Sequence, residues 1–200
     1  MGEAAVIWGR LTEAFWLNCQ LFGLTLLFAL PLGLVVSFGS MSRLAPLRGA
    51  VKTFVWIIRG TPLMLQLIVV YFGPYYLFGS NLKGYRFPAI IIAFAVNYAA
   101  YFAEIYRGGI ESMPVGQYEA AEILGYGKVQ TFFKIIFPLS IPGIISGVTM
   151  VFVPALTTFV ISKILGGSKI LLIGNVIEQE FQQGSNWHVG SGLSLVLMIF

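Results

Sequence analysis

Aspartate is absent from the 200 residues, and cysteine and histidine occur once each, as Cys19 and His188. A single cysteine excludes an internal disulfide and a cysteine-rich metal site. Without aspartate, and with one histidine, metal clusters and nucleophile–histidine–acid triads lack the side chains they need, so no catalytic or metal-binding residue is expected. Charge of either sign is scarce: 10% of residues are charged and 58% hydrophobic, with a mean hydropathy of +0.86. A water-soluble domain of this size would expose a large apolar surface, and a membrane is the natural solvent. The net charge of +4 comes from Lys and Arg scattered thinly among apolar runs. They form no basic stripe, which excludes a nucleic-acid partner. A phosphate-cradling loop is missing too: Gly125-Tyr126-Gly127-Lys128 lacks the preceding glycine and is followed by Val129, so this chain is not expected to hydrolyse ATP.

What is present is a series of uncharged runs, Ala14 to Ser42, Gly60 to Leu82, Phe87 to Ala103 and Ile135 to Ser162. A helix needs about 20 mostly apolar residues to cross the hydrocarbon core, and these runs reach or approach that length. The pattern predicts an all-α polytopic membrane protein with spans over about 15–38, 62–78, 88–106 and 135–161, and a fifth beginning near Ser191. Arg59-Gly60-Thr61-Pro62 supplies a helix start, with Thr61 as N-cap and Pro62 in the first helical position; Phe87-Pro88 repeats the proline start. Val51 to Ile58 is apolar but short. Gly143 and Gly147 are spaced as a small-residue packing face. A short helix is expected around Ile170 to Phe181. The N-terminus, with Glu3, Arg10 and Glu13, lacks the basic start of a cleavable leader, so the first apolar run is expected to be retained. Leu193 to Phe200 is apolar to the last residue, and the chain is expected to stop inside a helix, as a fragment or a truncated reading frame would.

Arg107 to Lys134 is the polar connector. Ser112 is expected to cap a helix with Pro114 in its first turn, running through Glu119, Ala120, Ala121 and Glu122 and ending at Gly125. Glu119 and Glu122 share one face, and Ala120 and Ala121 are small enough to admit a partner's backbone. An amphipathic helix lying on the membrane is the alternative reading, but such helices carry Lys and Arg on the polar face, and this one carries glutamates. A protein partner suits it better.

The order Glu119-Ala120-Ala121, three residues, Gly125, nine residues, Ile135-Ile136-Phe137-Pro138 resembles the cytoplasmic signature of the permease subunits of bacterial ABC importers, with Phe137 in place of the usual leucine. The resemblance implies a type I importer permease fold with a five-span core, the last span truncated, in one transmembrane domain over residues 1–200. It implies that 107–134 is a cytoplasmic coupling segment, with Glu119, Ala120, Ala121, Glu122 and Gly125 docking on ATPase subunits. It also implies a second permease subunit as homo- or heterodimer, an extracytoplasmic solute-binding protein, and location in the bacterial inner membrane. ATP would be bound by the ATPase partner, and this chain needs no cofactor. With the connector inside, Arg43, Arg48, Lys52, Arg59, Arg107, Lys128 and Lys134 are cytoplasmic and Arg10, Lys83, Arg86, Lys163 and Lys169 external.

Two stretches, Ile58-Arg59-Gly60-Thr61-Pro62-Leu63-Met64-Leu65-Gln66-Leu67 and Asn97 through Ile110, resemble the polar amino acid permeases. From about Ile141 onward, Val151 through Ser162, Leu171 through Gln179 and Trp187-His188 are similar to the spermidine/putrescine permeases, as if two related permeases were joined near the connector. The solute is therefore expected to be small and nitrogenous, a polar amino acid first and a polyamine second.

Polar side chains within a span face a protein interior or a water-filled path. Gln66, Asn97, Thr157 and Thr158 are the candidates, each with interhelical or backbone hydrogen bonding as the alternative. Glu104 and Arg107 are spaced for an ion pair. Trp8, Trp16, Trp56, Tyr75, Tyr76 and Trp187 fall near predicted boundaries and fit an interfacial belt. A self-sufficient channel or secondary transporter would be marked by paired intramembrane charges, and an intramembrane enzyme by a catalytic pair; only Glu104 and Arg107 approach the first, and nothing approaches the second.

Overall fold

A computed structural model describes residues 2–79, 84–157, 173–182 and 187–199, with 2–8, 151–157, 196, 197 and 199 given by backbone alone. Among the described residues the regular elements are all helices. α1 runs Gly2–Ser40, α2 Ala45–Gly60, α3 Leu63–Phe78, α4 Arg86–Glu111, α5 Val115–Ile123 and α6 Lys128–Thr131. A π-helical turn, Phe132–Ile136, leads into α7, Phe137–Thr157, and α8 and α9 cover Ile173–Gln182 and Trp187–Ile199.

Among the described residues three helical stretches have the length and apolarity to cross a membrane, Gly9–Ser40, Arg86–Glu111 and Lys128–Met150. α2 and α3 make a fourth if taken together as one broken span. α9, of 13 residues, lies where the fifth, incomplete span is expected to begin.

The boundaries differ from the sequence expectation in instructive ways. α1 begins well before Phe15 and carries Pro31 inside it. At about 1.5 Å per residue its 39 residues are roughly 58 Å long, more than a hydrocarbon core about 30 Å thick. α4 does not end near Tyr106: Arg107 bonds to Glu104 one turn back and Glu111 one turn on, and the helix continues to Glu111. The short apolar run Val51 to Ile58 is the second half of a full amphipathic helix, α2, with proline in its first turn. The Thr61 hydroxyl, expected to open α3, donates to the Ile57 and Ile58 carbonyls (2.9 and 3.3 Å) at the end of α2. The fourth span starts earlier than Ile135, because α6 and the π turn run on into α7. The Phe137 amide reaches back five residues to the Phe132 carbonyl, and this wider register falls just before Pro138, which has no amide to give.

The contacts divide the chain into two compact units, 1–24 with 64–92 and 152–200, and 25–63 with 93–151. In the first, Leu11, Ala14, Ile173 and Val176 form a buried cluster, with Phe15, Ile177 and Leu193 against it. Asn18 is fully buried beside it, its Oδ1 accepting from the Ile173 amide at 3.4 Å.

The second unit is built on α4. Ala99, Ala100, Phe102 and Ala103 are all buried, and small residues let neighbouring helices approach closely. Gly33 of α1 lies against Phe102 and the Ala99 carbonyl, and Gly147 of α7 lies against Phe102 and Ile105. The expected packing face of α7 therefore meets α4, with Gly143 looser at 3.8 Å from Ile105. Val55 of α2 packs with Ala100 and Ala103.

Candidate functional site

The connector is a continuation of α4. After Glu111 the Ser112 amide donates to the Gly108 carbonyl (2.9 Å) and the Ser112 hydroxyl to that of Gly109 (3.1 Å). Ser112 thus closes α4 and does not cap α5. Pro114 takes the N-cap position of α5 without a side-chain bond; a proline there loses nothing, because amides at a helix start have no intrahelical acceptor.

The other end follows the sequence expectation. Gly125 has φ +73°, the left-handed region where a side chain is unfavourable. Its amide donates to the Glu122 carbonyl and that of Tyr126 to the Ala121 carbonyl, both at 2.9 Å. These two bonds make a Schellman closure. The chain then re-enters helix at once: Gln130 Oε1 accepts from the Gly127 amide (3.1 Å), the Thr131 hydroxyl donates to the Gly127 carbonyl (3.1 Å), and Lys134 Nζ sits 4.7 Å above the Tyr126 ring. A nine-residue helix is thereby held between two long ones.

Its two faces are distinct. Ala121 is buried against the chain itself, so of the two alanines expected to receive a partner only Ala120 is accessible. Glu119 and Glu122 are exposed and make no ion pair among the described residues. Within the connector and the turn after it, Val115, Ile123, Leu124, Val129 and Phe133 are exposed apolar side chains, Ile123 at 86%. Beside α5 opens a mostly apolar cavity of about 790 Å³, lined by Leu34, Phe38, Ile110 and Phe133 among others and, from α5 itself, by Tyr118 and the exposed Glu122.

Above the connector, α4 carries a charge chain. Arg107 Nη2 donates to Glu104 Oε2 at 2.6 Å and Nη1 to Glu111 Oε2 at 2.8 Å. Arg59, at the end of α2, lies 3.7 Å from the same Glu104 oxygen and 5.2 Å from the Tyr101 ring centroid. Helical spacing reveals the Glu104–Arg107 pair. Arg59 stands 45 positions away, and no periodicity signals its part in the cluster.

Of the expected path residues, Asn97 is buried on α4 and Gln66 half-buried on α3, and each already engages another group in the protein. Thr157 is the last residue of α7, described by backbone alone, and Thr158 lies outside the described residues, as do Lys83, Lys163 and Lys169.

Residues 29–200 match the family described as binding-protein-dependent transport system inner membrane component. The chain belongs to that family. Among curated relatives, the L-cystine transport system permease protein TcyB of Bacillus subtilis (strain 168) is 35% identical over 143 residues, 67% of this chain and 59% of the relative. The spermidine/putrescine transport system permease protein PotB of Escherichia coli (strain K12) is 40% identical over 111 residues, 56% of this chain and 40% of the relative. The chain thus spans between two fifths and three fifths of the length of these relatives. Since 67% and 56% of one chain are matched, the two stretches share residues, as members of one family do. Among solved structures, a crystal structure of an amino acid ABC transporter with histidines superposes with a TM-score of 0.75 at 25% identity, covering 98% of this chain and 91% of that one. This inner membrane component is accordingly a multi-pass, all-α membrane protein, and its relatives are permeases rather than enzymes.

Proposed function

We propose that this chain is a permease subunit of an ATP-driven importer, pairing with a second permease subunit around the path of a small nitrogenous solute. Its 200 residues act as one transmembrane domain, with 107–134 as the cytoplasmic coupling segment. Two ATPase subunits bind the ATP, and an extracytoplasmic solute-binding protein delivers the solute. The carrying observation is α5: a short helix between two span-length helices, closed at Gly125, presenting Glu119, Glu122 and Ile123 outward. Closure of the ATPase pair draws α5 with it, and because α5 continues from α4 through one turn, the pull reaches the helix that organises the second unit. Glu119, Ala120, Glu122 and Gly125 serve the docking, Ala121 holding α5 to its own chain.

A polar amino acid is the solute favoured. TcyB is named for L-cystine, and the superposed structure is titled as an amino acid transporter. A polyamine is the second reading, favoured by PotB. A polycation path is expected to present carboxylates, whereas residues 14–103 contain no acid at all. Gln66, Asn97, Thr157 and Thr158 are the path candidates under either reading.

The test is co-purification from membranes with the cognate ATPase subunit. Glu119→Lys reverses a charge at the docking face. Gly125→Pro removes the amide that donates to Glu122 and demands φ near −65° where the chain has +73°. The unaltered chain should retain the ATPase and both variants should lose it. Retention by Glu119→Lys at the unaltered level overturns docking through this face. Stimulation of ATP hydrolysis by an amino acid or by spermidine then separates the two solute readings.

A further inference from the structure

The proposed function makes no use of α2. Its residues divide into three stripes. At about 100° per residue, Val51, Val55 and Ile58 fall on one side of the helix, and they are its only buried or half-buried residues, packed toward α1 and α4. Arg48, Lys52 and Arg59 lie along one flank of that seam, continued by Trp56 four residues after Lys52. Leu47, Ala50, Phe54 and Ile57, spaced three or four apart, lie along the other.

Both flanks are open. Leu47, Phe54 and Ile57 are exposed, Trp56 is 75% exposed, and Leu44 ahead of the helix is exposed as well. Arg43, Arg48 and Lys52 are exposed and form no ion pair among the described residues; Arg59 is taken by Glu104. No acid lies between Glu13 and Glu104 in the sequence, so α2 and its flanks offer these cations no counter-charge of their own. An apolar stripe opposite a basic one, with tryptophan at the margin, is the pattern of a helix lying in the bilayer interface, its cations among anionic headgroups. α5, with acids on its exposed face, shows the opposite charge on the same unit.

We propose that α2 is an interfacial helix that binds anionic phospholipid headgroups through Arg43, Arg48 and Lys52 while Leu47, Phe54 and Ile57 enter the acyl region. Bound in this way, α2 keeps α4 at a fixed depth through Val55 and the Arg59–Glu104 contact. The anionic leaflet contributes a footing that the protein itself lacks.

The test uses the full chain with Trp8, Trp16 and Trp187 changed to phenylalanine, leaving Trp56 as the sole reporter, reconstituted in phosphatidylcholine–phosphatidylglycerol bilayers. Bromine is placed on one lipid or the other at equal mole fraction, and quenching of Trp56 is read. Brominated phosphatidylglycerol should quench at least about twofold more than brominated phosphatidylcholine, since each cation near an anionic surface favours it about fivefold. The preference should vanish in the R43Q/R48Q/K52Q chain. It should also vanish without those substitutions at about 1 M salt, where the screening length falls to about 3 Å; this arm does not depend on the variant's folding. Equal quenching by the two lipids overturns the proposal, as does a preference that survives the substitutions. Absence of quenching by either lipid overturns it too, because Trp56 then lies away from the bilayer.

Discussion

A Cβ placed on Gly33 would lie 2.7 Å from the Cβ of Phe102 and 3.0 Å from the Ala99 carbonyl oxygen. Both neighbours belong to the backbone of α4 or are attached directly to it, so neither can turn aside. Gly147 faces α4 as closely, but its nearest atoms are the ends of side chains, Ile105 Cδ1 at 2.7 Å and Phe102 Cε1 at 2.9 Å, and the Ile105 methyl can turn aside.

Gly33→Ala should therefore cost more than Gly147→Ala. We expect about 1–3 kcal/mol for the first and less for the second. Thermal unfolding of the purified chain in detergent checks the order, and equal midpoints would show that α1 and α4 are not in close contact there.

Glu104 is the shared acceptor of two arginines. Arg107 is held through its terminal nitrogens only, its Nε being buried with no acceptor among the described residues. Glu104→Gln should destabilise by about 1–2 kcal/mol, the side chains being partly exposed. In double-mutant cycles the coupling of Glu104 to Arg107, at 2.6 Å, should exceed its coupling to Arg59, at 3.7 Å and 42% exposed. The reverse order would place the principal contact between α2 and α4.

Gly125→Ala keeps the amides of the helix closure but puts a side chain at φ +73°. A cost of about 1–2 kcal/mol is expected, read as roughly 5- to 30-fold faster hydrogen exchange at the amides of Gly125's neighbour Tyr126 and of Leu124. Gly125→Asn should fall between, because asparagine tolerates the left-handed region. Unchanged exchange in the alanine variant would mean that the Gly125 closure is not what holds the end of α5.

Asn18 is fully buried and reaches the Ile173 amide across 155 positions of sequence. Asn18→Ala should leave that amide short of an acceptor, at about 1–3 kcal/mol. Limited proteolysis should cut near Ile173 faster in the variant, and unchanged cleavage would show that the amide finds its acceptor elsewhere.

Local signals are legible in the sequence. Gly125 marks the end of α5 because a left-handed turn favours glycine, and Glu104 and Arg107 pair because three residues make nearly one helical turn. Gly147 announces a close approach, though not the helix that makes it. Scarcity of charge alone requires a membrane, since this many apolar residues cannot be covered by water-facing groups in 200 residues.

What depends on distant residues was decided by the tertiary structure. Sequence spacing cannot distinguish Ala120 from Ala121; packing buries the second and leaves the first exposed. Ser112 can cap forward or bond backward, and the extension of α4 to Glu111 settles it backward. Arg59 joins Glu104 only because Val55 and Ile58 seat α2 against Ala100 and Ala103. Periodicity reports which face of a helix is apolar, whereas the identity of the atoms that meet that face arises only when the chain has folded back on itself.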